Sequence, residues 1–174
     1  MGRNKDNYDK EDEKKEKYLE RLAPHLGYLV IAFNSLESSL DTAIVEFMNG
    51  EIPEVGIAVI SGMSFSAKVE LFGRLYGPLF MSVKDQKWMN DLTVVLQELK
   101  EANNKRNDFI HAAWHQYDLL TKSVVTKTRI HKNEREDQEK NIQPKDIKNA
   151  TRFINRLADK LFEIYVLDHG SWLQ

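Results

Sequence analysis

From Pro24 onward the apolar positions Leu26, Leu29, Val30, Phe33, Leu36, Leu40, Ala43, Ile44 and Phe47 recur every three or four residues. That period matches the turn of an α-helix, so an amphipathic helix is predicted, opened by Pro24 and closed by Asn49-Gly50. Ile52-Pro53 restarts the chain into a short helical or irregular piece over 53–61. Ser64 is placed to cap a further helix carrying Ala67, Leu71, Leu75 and Leu79, which Gly77-Pro78 weakens. The longest helix is predicted from about Val83 to His115, with Trp88, Leu92, Val95, Leu96, Leu99, Ala102, Phe109, Ile110 and Ala113 as its apolar stripe. Asn103-Asn104 interrupts that stripe and is read as a site for a kink. A final helix from about Pro144 to Leu167 carries Ile147, Ala150, Phe153, Ile154, Leu157, Ala158, Leu161, Ile164 and Tyr165.

Two stretches break the helical pattern. Lys122-Ser123-Val124-Val125-Thr126-Lys127-Thr128-Arg129-Ile130 is rich in β-branched residues and predicts a short strand or hairpin. The run from His131 to Lys140 is almost wholly polar and is read as mobile. At the amino end, lysines and acidic residues alternate through residues 3–21, which predicts an exposed or frayed helix with little to anchor a core. The fold class is therefore all-α, an irregular antiparallel helical bundle with a short β-hairpin near residues 117–131. Residues 1–23 form a charged, exposed or helical extension, and residues 24–174 form a single domain.

Composition narrows the class. The 174 residues suit one sizeable core, and 41% hydrophobic with 30% charged residues is ordinary for a globular chain. No apolar run approaches the ~20 residues that span a bilayer, and the charged amino terminus lacks a secretory signal's apolar centre, so no membrane partner and a cytoplasmic location are expected. The absence of cysteine excludes disulfides, thiolate nucleophiles and cysteine-ligated zinc. A net charge of −2 gives no global attraction to nucleic acid, so any such ligand must meet a local basic surface.

Candidate chemistry concentrates in Arg106-Asn107-Asp108-Phe109-Ile110-His111. An arginine keeps its charge and serves anions, whereas a histidine changes charge near neutral pH and passes protons. On a helix, positions i and i+5 lie roughly 140° and about 7.5 Å apart, so Arg106 needs its long stem to reach the face that Asn107 and His111 share. Together these residues suit phosphodiester cleavage without a metal or other cofactor.

The segment resembles the Arg-x4-6-His motif of HEPN domains, in which a polar residue commonly follows the arginine, as Asn107 does here. Phe33-Asn34-Ser35-Leu36-Glu37 is similar to HEPN sequences in which an acidic residue on an early helix faces the Arg/His helix. The resemblance extends over about residues 24–167 and implies a metal-independent endoribonuclease of toxin–antitoxin, stress or antiviral systems, although the family includes members without activity. It implies a homodimer with a composite active site, an RNA substrate and an antitoxin or regulatory protein as partner. His111 is then the acid or base, Arg106 stabilises charge on the phosphorane oxygens, Asn107 orients either group, and Glu37 holds Arg106 or tunes the imidazole. The competing reading is a non-catalytic helical module that binds protein or nucleic acid and keeps Arg106 and His111 for structural reasons.

Secondary candidates lie close by. Asp108, His111 and His115 share one face of a continuous helix at metal-ligand spacing, but no fourth ligand is identifiable and no metal is expected. His115 is otherwise read as lining the His111 groove or sitting in solvent, and Trp114 as a base-stacking surface or as core or dimer interface. Lys105, Lys122, Lys127 and Arg129 are positioned to guide RNA, set against the plainer reading of a solvated loop. His25 belongs to the predicted helix start, and no Gly-rich phosphate loop, Gly-x-Ser-x-Gly or His-Glu-x-x-His occurs.

Overall fold

The hydrophobic stripe expected to open at Pro24 begins earlier. In the computed structural model, which describes residues 5–49, 53–83, 86–118, 120, 123–129 and 137–163, the first helix α1 runs unbroken over Lys5–Asn49 with Pro24 inside it. Proline removes one rung of the helical ladder, here the bond to the carbonyl of Glu20. Both Pro24 and Glu20 lie on the exposed side, where water serves that carbonyl, while Tyr18, Leu22 and Leu29 continue the buried stripe across the proline. Tyr18 thus corrects the expectation that residues 3–21 hold little to anchor a core.

The same logic carries α3, Phe65–Val83, through Pro78, since Pro78 and Arg74 one turn earlier are both exposed. Ser64 caps this helix as its position suggested, its Oγ accepting from Ala67 N at 3.3 Å. Before it, α2, Pro53–Ile60, ends in a turn that needs Gly62, whose φ of 81° is left-handed. Helix α4 covers Gln86–Ile110 and stops five residues short of the predicted end. Residues Ala113–Asp118 instead form strand β1, followed by β2, Ser123–Arg129, and β3, Asp137–Ile142. Helix α5, Pro144–Phe162, closes the described chain, with Pro144 at its first position and Asp146 Oδ2 accepting from Gln143 N at 2.9 Å. The described residues are thus mostly helical, with the expected hairpin present as β1 and β2.

The strands form an antiparallel sheet in the order β1-β2-β3. Trp114 and Tyr117 face Thr126 and Val124, and the register shifts between those pairs. On the other side Val124 to Arg129 pair one-for-one with Ile142 to Asp137. The predicted mobile run therefore ends in a strand over its last four residues, while 131–136 lie outside the described residues. Polar side chains suit β3 because an edge strand keeps one side in water.

The chain divides into two units, Met1–Val30 with Lys105–Thr151 and Ile31–Asn104 with Arg152–Gln174. In the first, the Tyr18 hydroxyl donates to the Ile142 carbonyl at 2.7 Å, tying α1 to β3. Its buried positions include Leu22, Leu29, Phe109, Thr126, Ile142 and Ile147.

In the second unit, α1 and α3 run in the same direction. Phe33 packs on Phe65 and Phe47 on Tyr76, with ring centroids 4.7 and 4.8 Å apart. Helix α2 provides the return, with Gly56 against Val45 so closely that a Cβ would sit 3.2 Å from it. Helix α4 lies antiparallel to α3, with Gly73 facing Leu96 and Asn103 Nδ2 donating to Ser66 Oγ. The Lys160–Glu98 pair, at 2.9 Å, joins α5 to α4.

One polar group is central to this unit. Lys68, with 9% of its side chain exposed, donates to Glu37 Oε1 and Asp41 Oδ2, both at 2.8 Å. Burial alone pulls an ammonium down, but the two hydrogen bonds and the charges of Asp41 and Glu37 outweigh it and hold Lys68 above the ordinary lysine range. Lys68→Met is expected to destabilise the protein by about 2–4 kcal/mol, because it leaves two carboxylates without their cation. A group whose folded-state value is raised contributes fully below the ordinary lysine range and loses that contribution as pH rises through the raised value. Urea midpoints of the two proteins should therefore converge at strongly alkaline pH, and a constant gap would refute the assignment. Tyr18→Phe should cost about 1–2 kcal/mol by stranding the Ile142 carbonyl, with amide exchange in β3 accelerated ahead of other strands.

Candidate functional site

The last turn of α4 builds the site. His111 N donates to Asn107 O at 3.1 Å, so the backbone is still helical as it reaches the histidine, and it turns away immediately afterwards into β1. His111 is exposed, whereas Phe109 and Ala112 beside it are buried and fix the direction in which the turn faces. The guanidinium reaches across the turn as its length allows. Arg106 Nη1 lies 3.0 Å from His111 Nε2 and 3.2 Å from Asn107 Oδ1.

One nitrogen therefore serves both neighbours. Nη1 carries two hydrogens, one for the amide oxygen and one for the imidazole nitrogen. The three residues singled out by their spacing meet at a single point on the surface. A cation for phosphate and a proton acceptor at contact distance allow charge stabilisation and proton transfer on one substrate, with no metal among the participants. No family model, curated protein or solved structure matches this chain.

The surrounding residues divide. Asp108 is not turned to a metal; its Oδ2 accepts from Lys140 Nζ at 2.8 Å. The Asp108, His111 and His115 face no longer exists, because His115 belongs to β1 and the helical spacing ends before it. Among the described residues no group of three or more His, Asp or Glu is arranged to hold a metal ion. Trp114 also lies in β1 and is half-buried. Glu37 belongs to the second unit, where it pairs with Lys68. His25 lies in the interior of α1 and is half-buried, not at a helix start.

The basic residues are similarly split. Lys105 is half-buried in α4, next to the motif. Lys127 and Arg129 lie on β2 in register with Glu139 and Asp137. Lys122 lies outside the described residues. Lys140 is the cation that sequence reasoning passed over. It stands 32 positions from Asp108 in a run read as mobile, and the pairing of β3 with β2 is what delivers it to the end of α4.

The Asp108–Lys140 pair is 39% and 42% exposed, so water screens it and its worth to stability is small. Asp108→Asn should change the urea midpoint by the equivalent of less than about 1 kcal/mol. Amide exchange along 137–142 should nevertheless quicken, and a fully protected β3 in that variant would show that the pair does not hold the strand to α4.

Proposed function

We propose that this protein is a metal-independent endoribonuclease of the HEPN type, a cytoplasmic homodimer that pools two copies of the motif in one active site. Its setting is toxin–antitoxin, stress or antiviral defence, with an antitoxin or regulatory protein holding it in check. The observation that carries the reading is the 3.0 Å contact between Arg106 and a solvent-exposed His111.

In the reaction, the ribose 2′-hydroxyl gives its proton to His111 and its oxygen bonds to the adjacent phosphorus. The bond from phosphorus to the 5′ oxygen breaks, and that oxygen takes a proton from the partner's acid, leaving a 2′,3′-cyclic phosphate and a free 5′-hydroxyl. Arg106 neutralises the charge that gathers on the non-bridging oxygens. Asn107 aims the guanidinium, while Lys105 and Lys140 add positive charge near the same helix end. The absence of any described helix long and apolar enough to cross a membrane is compatible with this setting.

A second reading rests on the same bonds. Because Arg106 gives Nη1 to neighbours on its own helix, the cluster also serves as a closure of the α4 terminus in a non-catalytic binding module.

Cleavage of RNA in excess chelator separates the two. His111→Ala and Arg106→Ala should each lower the cleavage rate by about 100-fold or more with the fold intact. A single 2′-deoxy substitution at the cut site should abolish cutting there. Activity that persists equally in either alanine variant would overturn the assignment.

A further inference from the structure

Hydrogen-bond bookkeeping at the motif leads beyond the reaction itself. A guanidinium has five N–H donors and no acceptor. An imidazole nitrogen 3.0 Å from Arg106 Nη1 therefore accepts, so Nε2 presents its lone pair to the arginine and the ring proton of neutral His111 resides on Nδ1. A neutral imidazole has one such lone pair, and it is the one a general base must offer to substrate. In this arrangement it is occupied.

We propose that Arg106 caps the Nε2 lone pair of His111 in the substrate-free protein, and that an oxyanion drawing the guanidinium away uncaps it. The regulation rests on the ribonuclease reading for its purpose, but the cap itself is a property of three side chains. The competition favours the anion. Nη1 is held by two neutral acceptors, the imidazole nitrogen and the Asn107 amide oxygen. A phosphate or sulfate group offers charged oxygens that match the guanidinium fork, so opposite charges attract where the imidazole and the amide supply only a neutral acceptor. Arrival of the phosphodiester thus exchanges a neutral partner for a charged one and exposes the base beside the group it is to act on.

Two consequences distinguish this from simple proximity. Arg106 determines which imidazole nitrogen is bare before substrate arrives. Asn107 is a positioning residue, since it takes the other hydrogen of Nη1 and so keeps the guanidinium at Nε2.

The test is long-range proton–nitrogen NMR on the full chain with labelled histidine, recorded with the ring neutral and inorganic sulfate as the probe anion. Wild-type His111 should be a single tautomer, protonated on Nδ1 and bare on Nε2, and its Nε2 resonance should shift on sulfate titration. Arg106→Lys keeps the charge but lacks the fork, so the tautomer preference and most of the sulfate-dependent shift should both be lost. A neutral wild-type His111 protonated on Nε2 would overturn the proposal without need of a variant. So would a sulfate response of equal size in Arg106→Lys. A protein that cuts no RNA yet shows the tautomer and the response keeps the cap and loses the ribonuclease reading. One that cuts RNA with an Nε2-protonated resting His111 does the reverse.

Discussion

The bond from His111 N to Asn107 O, 3.1 Å long, is the last rung of α4, and the candidate site depends on it. It holds Asn107 and His111 one turn apart on the same face, an arrangement in which a single guanidinium nitrogen reaches both. Termination one residue earlier would remove this rung and with it the helical spacing of the pair. If the helix ran on to His115, the histidine would remain, but Ala112 would not lead into the sheet that brings Lys140 to Asp108. The helix-to-strand junction therefore does two things at once, presenting the motif and supplying its neighbouring cation.

The second unit answers a different constraint, the polar cost of laying α1 and α3 side by side in the same direction. Rings dominate that contact, with Phe33 on Phe65 and Tyr76 between Phe47 and Phe72. Tyr76 also donates to the Ala43 carbonyl at 3.0 Å, so a buried hydroxyl is satisfied by the neighbouring helix. Lys68 inserts a cation among these apolar layers, and its burial is tolerable only because two carboxylates one turn apart on α1 receive it. Glu37, read from sequence as a companion of the motif, thus has a structural role that its own surroundings account for.

Much of this was legible from residue order, and the failures have physical causes. Helical periodicity marks α1 from Pro24 onward, α3, α4 and α5 because a buried stripe needs only local spacing, whereas over α2 helix and irregular structure were both open. The Ser64 cap follows from local geometry as well. Pro24 and Pro78 misled because a proline is read as opening or weakening a helix, whereas its cost falls to one carbonyl where it and the residue a turn before are exposed. The end of α4 carries no glycine or proline signal. What stops the helix is pairing of Trp114 and Tyr117 with β2, a tertiary effect outside any window of the sequence. Strand β3 was missed for a related reason, since its polar composition describes an edge strand and a solvated loop equally well. At the site, Arg106, Asn107 and His111 were readable because they are neighbours on one helix, and Lys140 was not because only the sheet brings it there.

On the proposed ribonuclease reading, the location of the motif also accounts for its arginine. The carboxyl end of a helix carries roughly half a negative charge on its unsatisfied carbonyls, so it repels phosphate, in contrast to the amino end that many anion sites use. An imidazole alone at the end of α4 would face a substrate held off by that field. Chain-wide charge gives no help at −2. Local cations must reverse the sign, and three of them stand on or beside this turn: Arg106, Lys105 and, from β3, Lys140. Asp108 cancels part of that charge by engaging Lys140, and Arg106 is the cation in contact with His111 itself. A residue that, in the proposed reaction, both draws the anion in and stands against the base is placed to link the two events, and that coupling follows from proposing a phosphate site at the carboxyl end of a helix.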